Sequence, residues 1–357
     1  MKLGLGLYKS VLTGDNFKFA RQAGVTHLAI QLVDYVQGGK NPTLTRDHLE
    51  GWGITLNRDK LWQYDDLISL KKEIESHGLV WEAIENFDPS HWYDILLDGP
   101  EKKKQTENLK QMLRIIGKAG IPTVGYNFSI PGVWGWTSKN SGRGGARSVE
   151  FDQSLIDVDR PLPKGMVWNM RYDTDESGGF VEPVSREEMW QRLQYFLDQM
   201  MPVAEENNIR LVAHPDDPPL RQMRGMAKLF YSPDAYERLL EMSSSPANGF
   251  EFCMGTIQEM AEGDIYSMLA KYAARGKLAY VHCRNVTGKV PHYREVFIDE
   301  GDIDMVRALK ILKDNGFEGM IIPDHSPEMS CDAPWHAGMA FSLGYLRAVL
   351  QSIEALE

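Results

Sequence analysis

Lys118-Ala119-Gly120-Ile121-Pro122-Thr123-Val124-Gly125-Tyr126-Asn127-Phe128 reads as a helix end followed by a short strand. Gly closes helices because it enters the left-handed region with little strain, and Thr123–Phe128 is a compact β-rich run bounded by turn residues. The same punctuation recurs along the chain. Gln22-Ala23-Gly24 precedes a strand at Thr26–Leu32, Ser76-His77-Gly78 precedes Leu79–Ile84, and Asp314-Asn315-Gly316 precedes Gly319–Asp324. Further strands at Leu3–Leu7, Ile209–His214, Gly249–Gly255 and Leu278–Arg284 bring the expected number to eight. Eight strand-then-helix units predict an α/β fold, a (β/α)8 TIM barrel, formed as one domain by residues 1–357.

Two segments depart from this rhythm. One contains Gly38-Gly39 and Trp52-Gly53, between the second and third strands. The other, Ser129 to Phe180, is far longer than the roughly 2–6 residues of an ordinary βα loop. Insertions after barrel strands sit over the C-terminal face, where substrates bind, so the second is expected to be a lid or an oligomer arm. A surface loop with no catalytic part is the other reading.

Lys plus Arg number 39 against 50 Asp plus Glu, a net charge of −11 over 357 residues. That field repels phosphate backbones and anionic membranes, so neither nucleic acid nor a membrane is an expected partner. A small anion is not excluded, because local charges dominate within one Debye length, about 8 Å. Three cysteines, Cys253, Cys283 and Cys331, make no disulfide framework, and no run approaches the ~18 apolar residues of a membrane span. The start lacks the apolar core and cleavage site of a signal peptide, and a cytoplasmic location is expected.

The chemistry lies where the last four strands end. These ends read Ala213-His214-Pro215-Asp216-Asp217, Phe252-Cys253-Met254-Gly255, Val281-His282-Cys283-Arg284 and Pro323-Asp324-His325. In a barrel such ends converge on one mouth, so His214, Cys253, His282 and Asp324 are placed to surround one cation. Two imidazoles, a thiolate and a carboxylate suit Mn2+, Fe2+, Co2+ or Zn2+ better than Mg2+ or Ca2+. Taken singly, a His here is more often structural and a Cys a small buried hydrophobe; it is the set of four that points to a metal. Strand alternation turns Arg284 the same way as His282 and sends Cys283 toward the helices. Cys283 and Cys331 are expected to be structural.

The chain resembles the mannonate dehydratases of the xylose-isomerase-like barrel superfamily. The likeness is carried by Met1-Lys2-Leu3-Gly4-Leu5-Gly6, Gly125-Tyr126-Asn127-Phe128, Ala213 to Pro219, Asn248-Gly249-Phe250 through Gly255, His282-Cys283-Arg284, Glu300 to Met305, and Pro323-Asp324-His325, in the family's order. The resemblance implies that His214, Cys253, His282 and Asp324 hold a divalent metal, usually manganese. It also implies the reaction, loss of water from D-mannonate to give 2-keto-3-deoxy-D-gluconate. Elimination needs a base for the proton beside the carboxylate and an acid for the departing 3-hydroxyl, and His325 is suited to one of these transfers. Orientation of the Asp324 carboxylate is its alternative role.

Two positions depart from the family. Its usual Arg two residues before the metal Asp is Ile322 here, and its Pro-Gly-Tyr aligns with Pro334-Trp335-His336. His336 is accordingly the candidate to replace the Tyr acid, with packing as its plain alternative. The substrate carboxylate is left to Arg284 or the metal. Glu85, with a helix cap as its structural alternative, and Asn127 are candidate substrate-binding residues. Trp134, Trp136 and Trp335 could stack on a sugar face or anchor loops. A sugar isomerase or epimerase on the same barrel is the alternative function, separated by its product; a metal nuclease is disfavoured by the charge, and a non-catalytic sugar binder would turn nothing over. A homo-oligomer, dimer or tetramer, is expected.

Overall fold

The computed structural model describes residues 1–33, 53–55, 60–173 and 178–355. Its centre is a closed barrel of eight parallel strands: β1 (Lys2–Tyr8), β2 (His27–Gln31), β3 (Val80–Ile84), β4 (Thr123–Tyr126), β5 (Arg210–Ala213), β6 (Asn248–Cys253), β7 (Leu278–His282) and β8 (Met320–Ile322). Each strand pairs with its sequence neighbours, and β8 closes on β1. All eight fall where the sequence places them, to within two residues at each end. The glycines at the expected helix stops have positive φ, 90° at Gly24, 71° at Gly78 and Gly120, and 75° at Gly316.

The strands can be short because both their faces are dry. Every residue of β6 and β7 is buried. Outward side chains join one large apolar core with the helices, whereas Ala29, Ala83, Val212, Ala279, Tyr280, Met320 and Ile322 fill the barrel's interior. Ile322 is an inward, fully apolar residue of this inner plug, as its side chain demands. Gly4 on β1 makes room for it, since a Cβ there would stand 2.9 Å from Ile322 Cγ2.

The long segment after β4 is folded, not a bare loop. Trp136–Lys139 pairs with Ser148–Asp152, and that ribbon is extended by a hairpin after β7, Asn285–Lys289 with His292–Val296. Val133, Trp134, Trp136, Val149, Phe151, Met223 and Tyr293 give the ribbon a small core of its own. Gly38, Gly39 and Trp52 lie outside the described residues, while Gly53–Ile54 pairs with Met170–Arg171. Among the described residues no helix is long and apolar enough to cross a membrane.

Candidate metal centre and active site

The register of the barrel sets the ligand-type residues side by side. Cys253 is the β6 partner of His282 on β7, His282 is the partner of Ile322 on β8, and His214 and Asp324 follow the ends of β5 and β8. His214, Cys253 and His282 each offer a ligand atom within 4.8 Å of the others. Asp324 Oδ2 lies 3.6 Å from His282 Nδ1 and 4.0 Å from Cys253 Sγ. Asp324 reaches inward from a left-handed backbone, φ 58°, a conformation that Asp tolerates better than most residues. The four expected donors are thus brought together, with His214 and Asp324 lining one cavity and Cys253 and His282 buried beside them.

The electrostatics suit a cation. Burial opposes ionisation of the Cys253 thiol, but Arg284 and the two imidazoles outweigh it and bring the thiol down to about 6. Burial likewise opposes the imidazolium of His214, which Cys253 and Glu251 raise to about 9. Asp324 is held well below the usual carboxylate range, burial being outweighed by His325, His282 and Arg284. Both nitrogens of His282 are buried without a hydrogen-bond partner. A thiolate, a carboxylate and two imidazoles, that of His282 with both nitrogens unpartnered, form a fitting donor set for a borderline divalent ion.

Arg284 is inward and 2 % exposed, as strand alternation requires, but its guanidinium is already engaged. Nη2 donates to Asp217 at 2.5 Å, Glu259 at 3.1 Å and Thr256 Oγ1 at 2.8 Å, and Nη1 to Glu295 at 3.1 Å. Gly255 clears its path, because a Cβ there would stand 2.3 Å from Arg284 Nε. Burial pushes the Glu259 carboxyl well above its ordinary range, while burial of Asp217 is outweighed by Arg284 and Tyr293, which hold its carboxyl below its own. These hydrogen bonds engage the guanidinium on the wall of the cavity that Arg284 lines.

His325 stands at the other edge. Its Nδ1 lies 2.8 Å from Glu295 Oε1, its Nε2 3.5 Å from Asp324 Oδ1, and its ring meets Trp136 edge-on at 5.7 Å. Burial disfavours its charge, yet Asp324 and Glu295 raise it to about 9. Across the cavity, Glu85 accepts from Gln31 Nε2 at 2.9 Å. Burial, then repulsion from Glu251, raises its carboxyl to about 8. Glu85 is no helix cap; with Asn127, Tyr8, Trp136 and Trp168 it lines the cavity. Trp335 lines an adjoining cavity that shares Tyr8, Asp324 and His325, whereas Trp134 is packed in the ribbon core.

His336 is not in the site. The helix Pro334–Ala355 carries it on an exposed face, where Nε2 lies 2.9 Å from Asn16 Oδ1 and the ring packs edge-on against Phe19 at 4.9 Å. His336 is not among the residues that line either cavity. Cys283 points to the helix-side core and Cys331 is exposed, both away from the cavity. Glu251 was absent from the sequence expectations, although it sits two residues before Cys253 and so on the same strand face. Asp217, Glu259 and Glu295 were absent too, and no local signal ties them to Arg284.

The D-mannonate dehydratase (UxuA) family matches residues 52–357. Mannonate dehydratase 2 of Halalkalibacterium halodurans is 32 % identical over 277 residues, 74 % of this chain and 79 % of that protein. The crystal structure of mannonate dehydratase from Streptococcus suis serotype 2 superposes with a TM-score of 0.78 at 25 % identity, covering 100 % of this chain and 94 % of that one. L-ribulose 3-epimerase shares the fold alone, at 13 % identity and a TM-score of 0.56 over 99 % of this chain. Fold, site and relatives define a (β/α)8-barrel hydro-lyase acting on a sugar acid. Within that class, the chain belongs to the mannonate dehydratase family, and dehydration has the stronger support over isomerisation.

Proposed function

We propose that this protein dehydrates D-mannonate to 2-keto-3-deoxy-D-gluconate in the cytoplasm, as a step of hexuronate breakdown, with a divalent ion, Mn2+ first among those suited, held by His214, Cys253, His282 and Asp324. The observation that carries the reading is the meeting of these four side chains beside one cavity, which His214, Asp324, His325 and Glu85 line. An ion bound there supplies positive charge beside the carboxylate end of the sugar acid, where the enediolate develops. The remaining steps fall to the chain's own groups. Glu85, as carboxylate, takes the C2 proton, and its raised basicity favours that transfer. His325, held as imidazolium between Glu295 and Asp324, gives a proton to the 3-hydroxyl, which leaves as water. Asn127, whose Oδ1 is buried without a partner, binds a substrate hydroxyl. Trp136 and Trp168 cover the sugar, so the inserted ribbon acts as a fixed roof. Incubation of manganese-loaded protein with D-mannonate should yield a product lighter by one water. A product of unchanged mass would support an isomerase, and no product from mannonate or neighbouring hexonates would reject the dehydratase reading.

A further inference from the structure

Glu251 is a carboxylate in a place where a carboxylate is costly. It lies 1 % exposed inside the barrel, and Arg284, the guanidinium lining the same cavity, is committed to other acids. The barrel makes space for it. A Cβ on Gly125, on β4, would stand 2.3 Å from Glu251 Oε2 and 3.0 Å from the Tyr280 hydroxyl, so the position opposite carries no side chain. What this space achieves is a contact with His282, whose Nε2 stands 3.1 Å from Glu251 Oε1. Neither atom is taken up by a hydrogen bond elsewhere among the described residues; each is buried with only the other this near. Glu85 Oε2 backs the same nitrogen at 4.0 Å.

A neutral imidazole has one N–H donor and one lone pair, so whichever nitrogen is held by an acceptor leaves the other free to ligate. His214 shows the pattern with a backbone partner: its Nδ1 lies 2.6 Å from the Pro215 carbonyl oxygen, which leaves Nε2 for the centre. For His282 the arrangement is reversed, with Nε2 toward Glu251 and Nδ1 toward Asp324. We propose that Glu251 is a positioning residue that accepts the Nε2 proton of His282, fixing the tautomer and ring orientation that present Nδ1 to the metal. A carboxylate in this role also raises the basicity of the ligating nitrogen, and loss of such a partner commonly weakens metal binding by about 10- to 100-fold. The proposal rests on the metal reading above.

The test is cobalt binding to the metal-depleted protein, followed by competition titration, stoichiometry and the cobalt–thiolate charge-transfer band, for the wild type, Glu251→Gln and Glu251→Ala. The wild type should bind one equivalent. Glu251→Ala should bind about 10- to 100-fold more weakly while keeping the thiolate band, because Cys253 remains a ligand. Glu251→Gln, whose amide oxygen still accepts, should recover part of the loss and guards against a folding defect in the alanine variant. Equal affinity in all three proteins would overturn the positioning role. So would a second equivalent of cobalt that vanishes with Glu251, since Nε2 and Glu251 would then be ligands themselves. A wild type that binds no cobalt would instead sink the metal reading on which the proposal stands.

Discussion

Replacing Arg284 by Met tests whether the guanidinium organises the cavity wall. The substitution keeps an unbranched side chain but leaves Asp217, Glu259 and Glu295, all buried, without their shared cation. Breaking a buried ion pair costs about 3–5 kcal/mol. With an unfolding entropy of about 2.1 cal/mol/K per residue, 357 residues give roughly 0.75 kcal/mol per degree, so Tm should drop by about 4–7 °C. The loss should depend on pH with a definite sign. In the wild type, burial raises the Asp217 carboxyl but Arg284 and Tyr293 outweigh it and hold it below its ordinary value. Without Arg284, burial is no longer outweighed at Asp217, whose carboxyl rises above the ordinary range near 4 and joins Glu259, already held high by burial, so the folded variant binds more protons than its unfolded chain. Its stability therefore falls as pH rises above that range, and the Tm gap should be wider at pH 8 than at pH 5. Scanning calorimetry of both proteins at the two pH values measures this. A gap below about 1 °C, or one that widens toward pH 5, would refute the argued role.

Three further outcomes follow from the site. Cys253→Ala removes a ligand outright, and its metal affinity, measured by competition titration, should fall by more than the ~10- to 100-fold expected for loss of an outer partner. His325→Gln should lower kcat by about 10²- to 10⁴-fold with a smaller change in KM, the signature of a lost proton transfer in steady-state kinetics. His336→Ala should leave kcat and KM within about 2-fold of wild type, because it changes an exposed helix face remote from the cavity.

The barrel was legible because both of its signals are local. Apolar runs mark strands buried on both faces, and the glycines at 24, 78, 120 and 316 end the preceding helices. The grouping of the proposed ligands was legible for a related reason: parallel strands end at one mouth, so position along a strand stands in for position in space. His336 shows where that logic stops. It lies beyond the last strand on a helix whose orientation is set by contact with Asn16 and Phe19, more than 300 residues away in sequence, and no spacing rule reports such packing. The partners of Arg284 come from the segment after β5, a helix after β6 and the hairpin after β7, and escaped for the same reason. Glu251 was within reach, since its separation of two residues from Cys253 assigns it to the inner face.

On the proposed reading, side chains from the ends of the last four barrel strands hold one ion without which the sugar acid is not dehydrated. Exhaustive chelation followed by graded return of Mn2+, with formation of the 2-keto-3-deoxy acid from D-mannonate as the readout, tests it most directly. Turnover should vanish after chelation and recover fully near one equivalent of metal per chain. Undiminished turnover by the chelated protein would contradict it.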